Sequence, residues 1–400
     1  MVEIIRKKYA LVIALFSRIS GSSRLIPELE SLRFVAILSV FATHLNGYLL
    51  AKSQTNWAGS GRDSNWDHCF QLGGYGVQLF FVISGFVLAL PFAKQYANLG
   101  PKQKLGSYYL RRLTRLEPPY LACLAILFLA LVFYNHESAT ELFPHLLASA
   151  FYLHAAIYHS MSSIDPVTWS LEVEVQFYLL APFLSVVFML EKVWIRRIAL
   201  LSACILFQVL QIKFGWDDDR NHPSLLNYLP YFLIGFVLVD LYLSGWLSQE
   251  AKLLRWDLFS LAAWPLLFRF LMSQPNWAPL LLPWALLFLF CAFFRGQFFR
   301  WSLSGSLPVT LGGMCYSIYL FHQTLISSVA RFTKNISLSD AYLPNFLFQA
   351  LITGSVVLVL SSVFYLLIER PCMRRDWPQR LLHWMKQNPK RREAFMESSE

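Results

Sequence analysis

Arg33 and His44 are separated by ten residues in the run LESLRFVAILSVFATHL. On an α-helix that spacing is ~16.5 Å of rise and about 20° beyond three full turns, so both side chains leave from nearly one face. An imidazole with its ordinary pKa of ~6.5 is suited to take a proton from a hydroxyl at neutral pH. In a soluble core such a histidine is usually a hydrogen-bonded packing residue. In an apolar segment, in register with an arginine, it reads as functional. Glu172, Glu174 and Gln176 lie in TWSLEVEVQFYLLAPF. Glu172 and Gln176 share a helix face and Glu174 points elsewhere; carboxylates placed so orient a histidine, pair with an arginine, or cap the segment end. Tyr316, Tyr319 and His322 recur every three residues in YSIYLFHQTLI. Their hydroxyls are candidate donors to a developing oxyanion, with an aromatic belt as the plainer alternative. Arg112 and Arg115 also stand three apart, with Arg111 adjacent. Guanidinium groups at that spacing suit phosphate oxygens, against the simpler role of a basic loop. Ser84 adjoins Gly85 in GVQLFFVISGFVLAL, where small residues also serve close helix packing.

The elements that must position these groups are membrane helices. Of 400 residues, 56% are hydrophobic and 14% charged, against roughly 45–50% and ~25% in soluble domains. Ionisable residues within such segments are expensive, which makes each one a functional candidate. Spans are predicted at about 29–50, 73–94, 118–135, 168–191, 198–214, 226–244, 257–272, 279–294, 310–331 and 346–368. The fold expected is an all-α integral membrane protein of about ten transmembrane helices with both termini cytoplasmic. That orientation puts Arg111, Arg112, Arg115, Arg196, Arg197, Lys252, Arg255 and Arg295 inside, as positive-inside bias requires. The stretch Leu142–Ser160 carries His145, His154 and His159 and either lies on the outer surface or dips in re-entrantly, since a full span there would invert the charge pattern. The run Tyr9–Phe16 is too short to span and reads as part of a cytoplasmic amphipathic segment, residues 1–28. The transmembrane domain is expected over 29–371, and a basic cytoplasmic tail over 372–400.

Several classes are excluded. The net charge of +10 sits in loops beside apolar runs, which argues against nucleic acid. The six cysteines form no disulfide framework. There is no HExxH, CxxC, G-x-G-x-x-G or P-loop, and no histidines at i, i+4, so no metal is expected.

Taken in order, these motifs resemble the membrane acyltransferase-3 family. Its R-x10-H is matched by Arg33 and His44, its FF-x-I-S-G-F by Phe80–Phe86, and its R-x-x-R by Arg112 and Arg115. The W-S-L-x-x-E-x-Q-F-Y signature is matched from Trp169 to Tyr178, Y-S-I-Y-L-x-H from Tyr316 to His322, and E-x-P by Glu369 and Pro371. The entry Leu29-Glu-Ser-Leu32 departs from the family's L-D-G-L. The extracytoplasmic hydrolase-like domain of some members is not expected here. The resemblance implies an enzyme of the cell (inner or plasma) membrane that moves an acyl group, usually acetyl, from acetyl-CoA or another acyl-CoA to a hydroxyl of a cell-surface carbohydrate or lipid. A small hydroxylated metabolite such as an antibiotic is the alternative acceptor. It further implies His44 as base, with direct transfer and an acyl-His intermediate both open. Arg33, Glu174 and His322 stand around it, Tyr316 or Tyr319 at the oxyanion, and Arg111, Arg112, Arg115 and Ser84 on the donor. The outer aromatics Phe151, Tyr152 and Tyr158 are candidates to stack on a sugar. The competing class is a proton-coupled transporter relaying through His44, Glu174 and His322; it predicts broken helices in repeated halves.

Overall fold

Pro27 opens the first long helix, Pro27–Lys52 (α1), and Glu28 and Glu30 occupy its first turn. Proline is preset for that position, and the carboxylates favour the positive end of the helix dipole. A computed structural model of the chain describes residues 15–16, 18, 26–215, 224–247, 253–273, 275–374, 376–377 and 379. Most of the amphipathic stretch Tyr9–Phe16, most of the basic tail, Lys252 and the acidic run Asp217–Asp219 lie outside the described residues. Among the described residues there are helices and no strand.

After α1 come Gly76–Tyr96 (α2), Leu105–Phe133 (α3), Ala139–Ala150 (α4), His154–Tyr158 (α5) and Trp169–Leu184 (α6). Val193–Phe214 (α7), Leu225–Leu243 (α8), Leu254–Ser273 (α9) and Ala278–Arg295 (α10) follow. Ser306–Gly313 (α11), Cys315–Thr333 (α12) and Tyr342–Phe364 (α13) follow in turn, and shorter helices lie at Asn56–Gly61, Asn65–Leu72, Phe298–Leu303 and Arg370–Cys372. Each predicted span coincides with one of these helices. Eight are long and apolar enough to cross a membrane; α9 and α12, of 20 and 19 residues, are comparable in length but more polar. Leu129, Phe183, Leu206, Leu266 and Leu351 are all exposed on the outside of the bundle, where lipid rather than water is the matching solvent.

Helices attract one another weakly through apolar contact when lipid is equally apolar, so close backbone approach matters more. Gly85 of α2 lies against Phe232 of α8, where a Cβ would stand 2.3 Å from the carbonyl oxygen. Gly235 of α8 answers it: a Cβ there would stand 2.5 Å from the Phe86 nitrogen. Packing is thus the role of Gly85, and it sets Ser84 beside the helix junction. At one end of the bundle Tyr316 Oη donates to the Leu116 carbonyl at 3.1 Å and Tyr108 Oη to that of Tyr178 at 3.2 Å. At the opposite end Ser53 Oγ donates to the Lys334 carbonyl at 2.9 Å, and Asn46 links Asp67 to Tyr342. The starts of α1, α3 and α12 and the end of α13 therefore share one end.

The stretch Leu142–Ser160 resolves in favour of re-entry. Phe133 to Ala139 is a short turn, and α4 then runs back along α3: Tyr120 Oη donates to the Ser149 carbonyl at 2.8 Å, and Tyr152 Oη to Glu117 Oε2 at 2.8 Å. Glu117 lies about 24 Å along α3 from Phe133, at 1.5 Å per residue. The chain crosses residues 151–168 at that depth and continues as α6, whose Glu172 Oε2 accepts the Ala155 amide at 3.0 Å. Together α4 and α6 make one interrupted crossing. Its irregular middle is satisfied internally by Ser149–Ser162 and by Ser162 Oγ accepting the Ile164 amide, as non-helical backbone at such depth requires. Tyr152, expected at an outer surface, is instead turned inward against Glu117.

In a Cys69→Ser background, which removes the exposed native thiol, Asn135→Cys in the α3–α4 turn should react with a membrane-impermeant maleimide in intact cells. Ser149→Cys, fully buried in the structure, should resist it until the protein is denatured. Equal labelling of the two would place α4 on the surface.

Candidate active site

A cleft opens at the end of the bundle where α1, α3 and α12 begin. Four guanidinium groups line it, those of Arg18, Arg33, Arg112 and Arg115, facing the carboxylates of Glu174 and Glu369. Arg33 is held by Glu30 one turn earlier: Nη1 lies 2.5 Å from Glu30 Oε1, which also accepts Arg18 Nη1 at 2.9 Å. The Glu30 that replaces the Asp of the L-D-G-L pattern therefore serves as the counter-charge for two arginines.

Arg112 and Arg115 lie on one face of α3, as their spacing predicts. Arg112 rests over the rings of Tyr108 and Tyr178, with its guanidinium carbon 5.8 and 6.0 Å from the centroids. Arg115 makes no hydrogen bond or ion pair among the described residues and offers its donors to the cleft. Arg111 departs from expectation. One residue turns a helix by about 100°, so Arg111 is exposed, reaches Gln103 Oε1 at 3.3 Å, and does not line the cleft. Ser84 does line it and donates to Glu174 Oε1 at 2.5 Å, tying α2 to α6. Glu172 and Gln176 turn away, to the Ala155 and Leu225 amides.

The tyrosines line the cleft but are not free oxyanion donors. Tyr316 Oη donates to the Leu116 carbonyl. Tyr319 Oη donates to the Val167 carbonyl at 2.9 Å and sits 2.7 Å from Ser170 Oγ. Each hydroxyl has one proton, so the N–H groups left to face a negative charge in the cleft belong to the arginines.

His44 and His322 form a pair behind Tyr319, off the cleft wall. Their ring centroids are 5.0 Å apart, edge to face, and the Tyr319 ring lies 5.5 Å from that of His322. His322 Nδ1 is 2.7 Å from the Tyr319 carbonyl. A carbonyl only accepts, so Nδ1 carries the proton and Nε2 the lone pair. That Nε2 is buried without a hydrogen-bond partner among the described residues.

Glu369, which the sequence offers only as part of the E-x-P match, is buried and lines the cleft. Its Oε2 accepts the Ser317 amide at 3.1 Å and the Ser317 hydroxyl. The E-x-P motif was the available signal. Nothing in the sequence marks Arg18, because the segment ahead of α1 has no periodic tie to the bundle.

The acyltransferase domain family model matches residues 26–366. The chain belongs to that family. It is similar to SACOL0978 of Staphylococcus aureus (strain COL), an O-acetyltransferase by name, at 24% identity over 379 residues. It is equally similar, at 24% over 384 residues, to the O-acetyltransferase OatA of Staphylococcus aureus (strain NCTC 8325 / PS 47). These alignments cover 87% and 89% of this chain but 57% and 58% of the relatives, so the chain spans little more than half their length. No solved structure matches.

Tyr316→Phe and Tyr319→Phe should each cost about 1 kcal/mol of stability, as loss of a backbone-directed hydrogen bond does, while acyl transfer stays within about tenfold. A fall of ~10²–10³ in kcat, the usual cost of an oxyanion donor, would restore the expected role.

Proposed function

We propose that this chain is a membrane O-acyltransferase that takes an acyl group, in the simplest case acetyl, from acyl-CoA and esterifies a hydroxyl of a cell-surface carbohydrate or glycolipid. The observation that carries the proposal is the four-guanidinium cleft with an imidazole pair immediately behind one wall. Arginine binds phosphate oxygens bidentately, and a nucleotide-bearing thioester brings phosphates at one end and a reactive carbonyl at the other. The O-acetyltransferase names of the relatives support acetyl as the group moved and an oxygen as its acceptor; the carbohydrate or glycolipid follows the family resemblance.

In this reading the phosphates rest on Arg33, Arg112 and Arg115 at the cytoplasmic end. The thioester reaches the inner wall at Tyr319, behind which the His44–His322 pair lies. His44 takes the proton of the acceptor hydroxyl, and that oxygen adds to the thioester carbonyl. The tetrahedral intermediate expels the CoA thiolate, which recovers the proton from His44. The products are the ester and free CoA. His322, fixed by the Tyr319 carbonyl, packs edge to face against His44 and positions that ring. The acceptor approaches from the opposite side, past the interrupted α4–α6 crossing.

Purified protein should release free thiol from acetyl-CoA only when a hydroxyl acceptor is present. His44→Ala should lower that rate by at least ~10² with CoA affinity nearly intact. Arg112→Ala and Arg115→Ala should each weaken CoA binding by about 1.5–3 kcal/mol by calorimetry. Near-normal turnover in His44→Ala removes that residue from the chemistry, and unchanged affinity in the arginine double variant removes the cleft from the donor.

A further inference from the structure

The cleft has two unlike walls. One holds the arginines and their carboxylates. The other is one face of α2, on which Val77, Phe80, Ser84 and Val87 follow one another at helical spacing. Helix α2 lies between the end of α1 and the start of α3, so its own end is at the mouth, with Val87 near it and Val77 ~15 Å deeper. Ser84 ties this face to Glu174. One turn deeper the face turns apolar.

Phe80 begins that apolar part. Its side chain is partly exposed, and its ring meets the Tyr319 ring edge to face, with centroids 6.0 Å apart. Phe81 beside it is buried against Tyr228 and Phe232 of α8, at 5.1 and 4.9 Å between centroids, which leaves Phe80 as the ring offered to the cleft. The hydroxyls at this depth are committed. Tyr319 Oη and Ser170 Oγ lie 2.7 Å apart, and both reach the Val167 carbonyl, at 2.9 and 3.3 Å. A ligand group arriving here finds apolar surface and no uncommitted hydroxyl, which suits a short hydrocarbon.

We propose that Phe80 is the floor of the acyl-chain site: the acyl group of the donor abuts the Phe80 ring beside Tyr319, and that ring limits the chain to two carbons. The inference rests on the donor reading above. With the thioester at Tyr319, the carbons beyond its carbonyl come against the neighbouring ring. An acetyl group ends there at its methyl. Each further methylene must enter space that the phenyl group fills, and a fitted apolar pocket discriminates against one extra methylene by roughly 10–200-fold.

The test compares acetyl-CoA with butyryl-CoA by titration calorimetry on the full chain in zwitterionic detergent, with no acceptor present. Wild type should bind acetyl-CoA at least ~10-fold more tightly. Phe80→Ala should bring the two affinities within about twofold of each other. Phe80→Leu, which keeps more of the packing, should give an intermediate ratio. The ratio is the readout because a loss of folded protein affects both ligands alike. Val87→Ala, on the same face of α2 but ~10 Å nearer the mouth, should leave the ratio where it is. An unaltered ratio in both Phe80 variants, or an equal shift in Val87→Ala, overturns Phe80 as the floor. Wild type that binds butyryl-CoA as tightly as acetyl-CoA overturns the chain-length limit. In each of those cases binding of CoA itself leaves the donor site standing. Wild type that binds neither thioester nor CoA overturns the donor reading and this one together.

Discussion

Four like-charged guanidinium groups around one cleft, in a bundle otherwise built of apolar side chains, set the terms for everything near them. Charges in such surroundings persist only when paired or when they meet water or a ligand. Glu30 answers Arg18 and Arg33 directly, and Glu174 and Glu369 face the others across the cleft. Each carboxylate is itself held: Glu174 by Ser84, Glu369 by Ser317. The balance still leaves the walls with more cations than anions, which is the condition for taking up a polyanion.

Holding those groups in register falls to close helix contacts. The reciprocal glycines of α2 and α8 bring two backbones together and so present Ser84 to α6. Gly312 does the same between α11 and α1, beneath the Glu30 carbonyl. The Tyr319 and Tyr316 hydroxyls, committed to main-chain carbonyls, pin α12 to the chain before α6 and to α3. These tyrosines build the wall of the cleft, and they also keep the imidazole pair apart from it.

The long apolar runs were fully legible, because a bilayer demands a length and an apolarity that composition alone reveals. Arg33, Ser84, Arg112, Arg115, Glu174, Tyr316 and Tyr319 were found by type and spacing, and all reach the same cleft. Arg111 was misplaced because adjacency in sequence is divergence on a helix. Glu369 was visible only as part of the E-x-P match, because its burial against Ser317 joins two helix ends 52 residues apart. The interrupted crossing was only half visible: charge bias excluded a full span at Leu142–Ser160, but its depth depends on Tyr120 of α3 meeting Ser149 and on Tyr152 meeting Glu117. Local pattern does not encode that contact. Arg18 is the extreme case, reaching the site through a tertiary contact alone.

The Glu30–Arg33 pair also bears on biosynthesis. The two residues are three apart on one helix, and their ion pair needs no other element. An arginine on a lone helix is costly in a bilayer, up to roughly 2.5–3.5 kcal/mol at its centre on insertion scales, and Arg33 lies six residues inside α1. A carboxylate one turn away lets α1 enter the bilayer with that charge already cancelled, long before α12 and α13 exist to enclose it. The same two residues that later flank the cleft thus first serve as the helix's own permit for insertion.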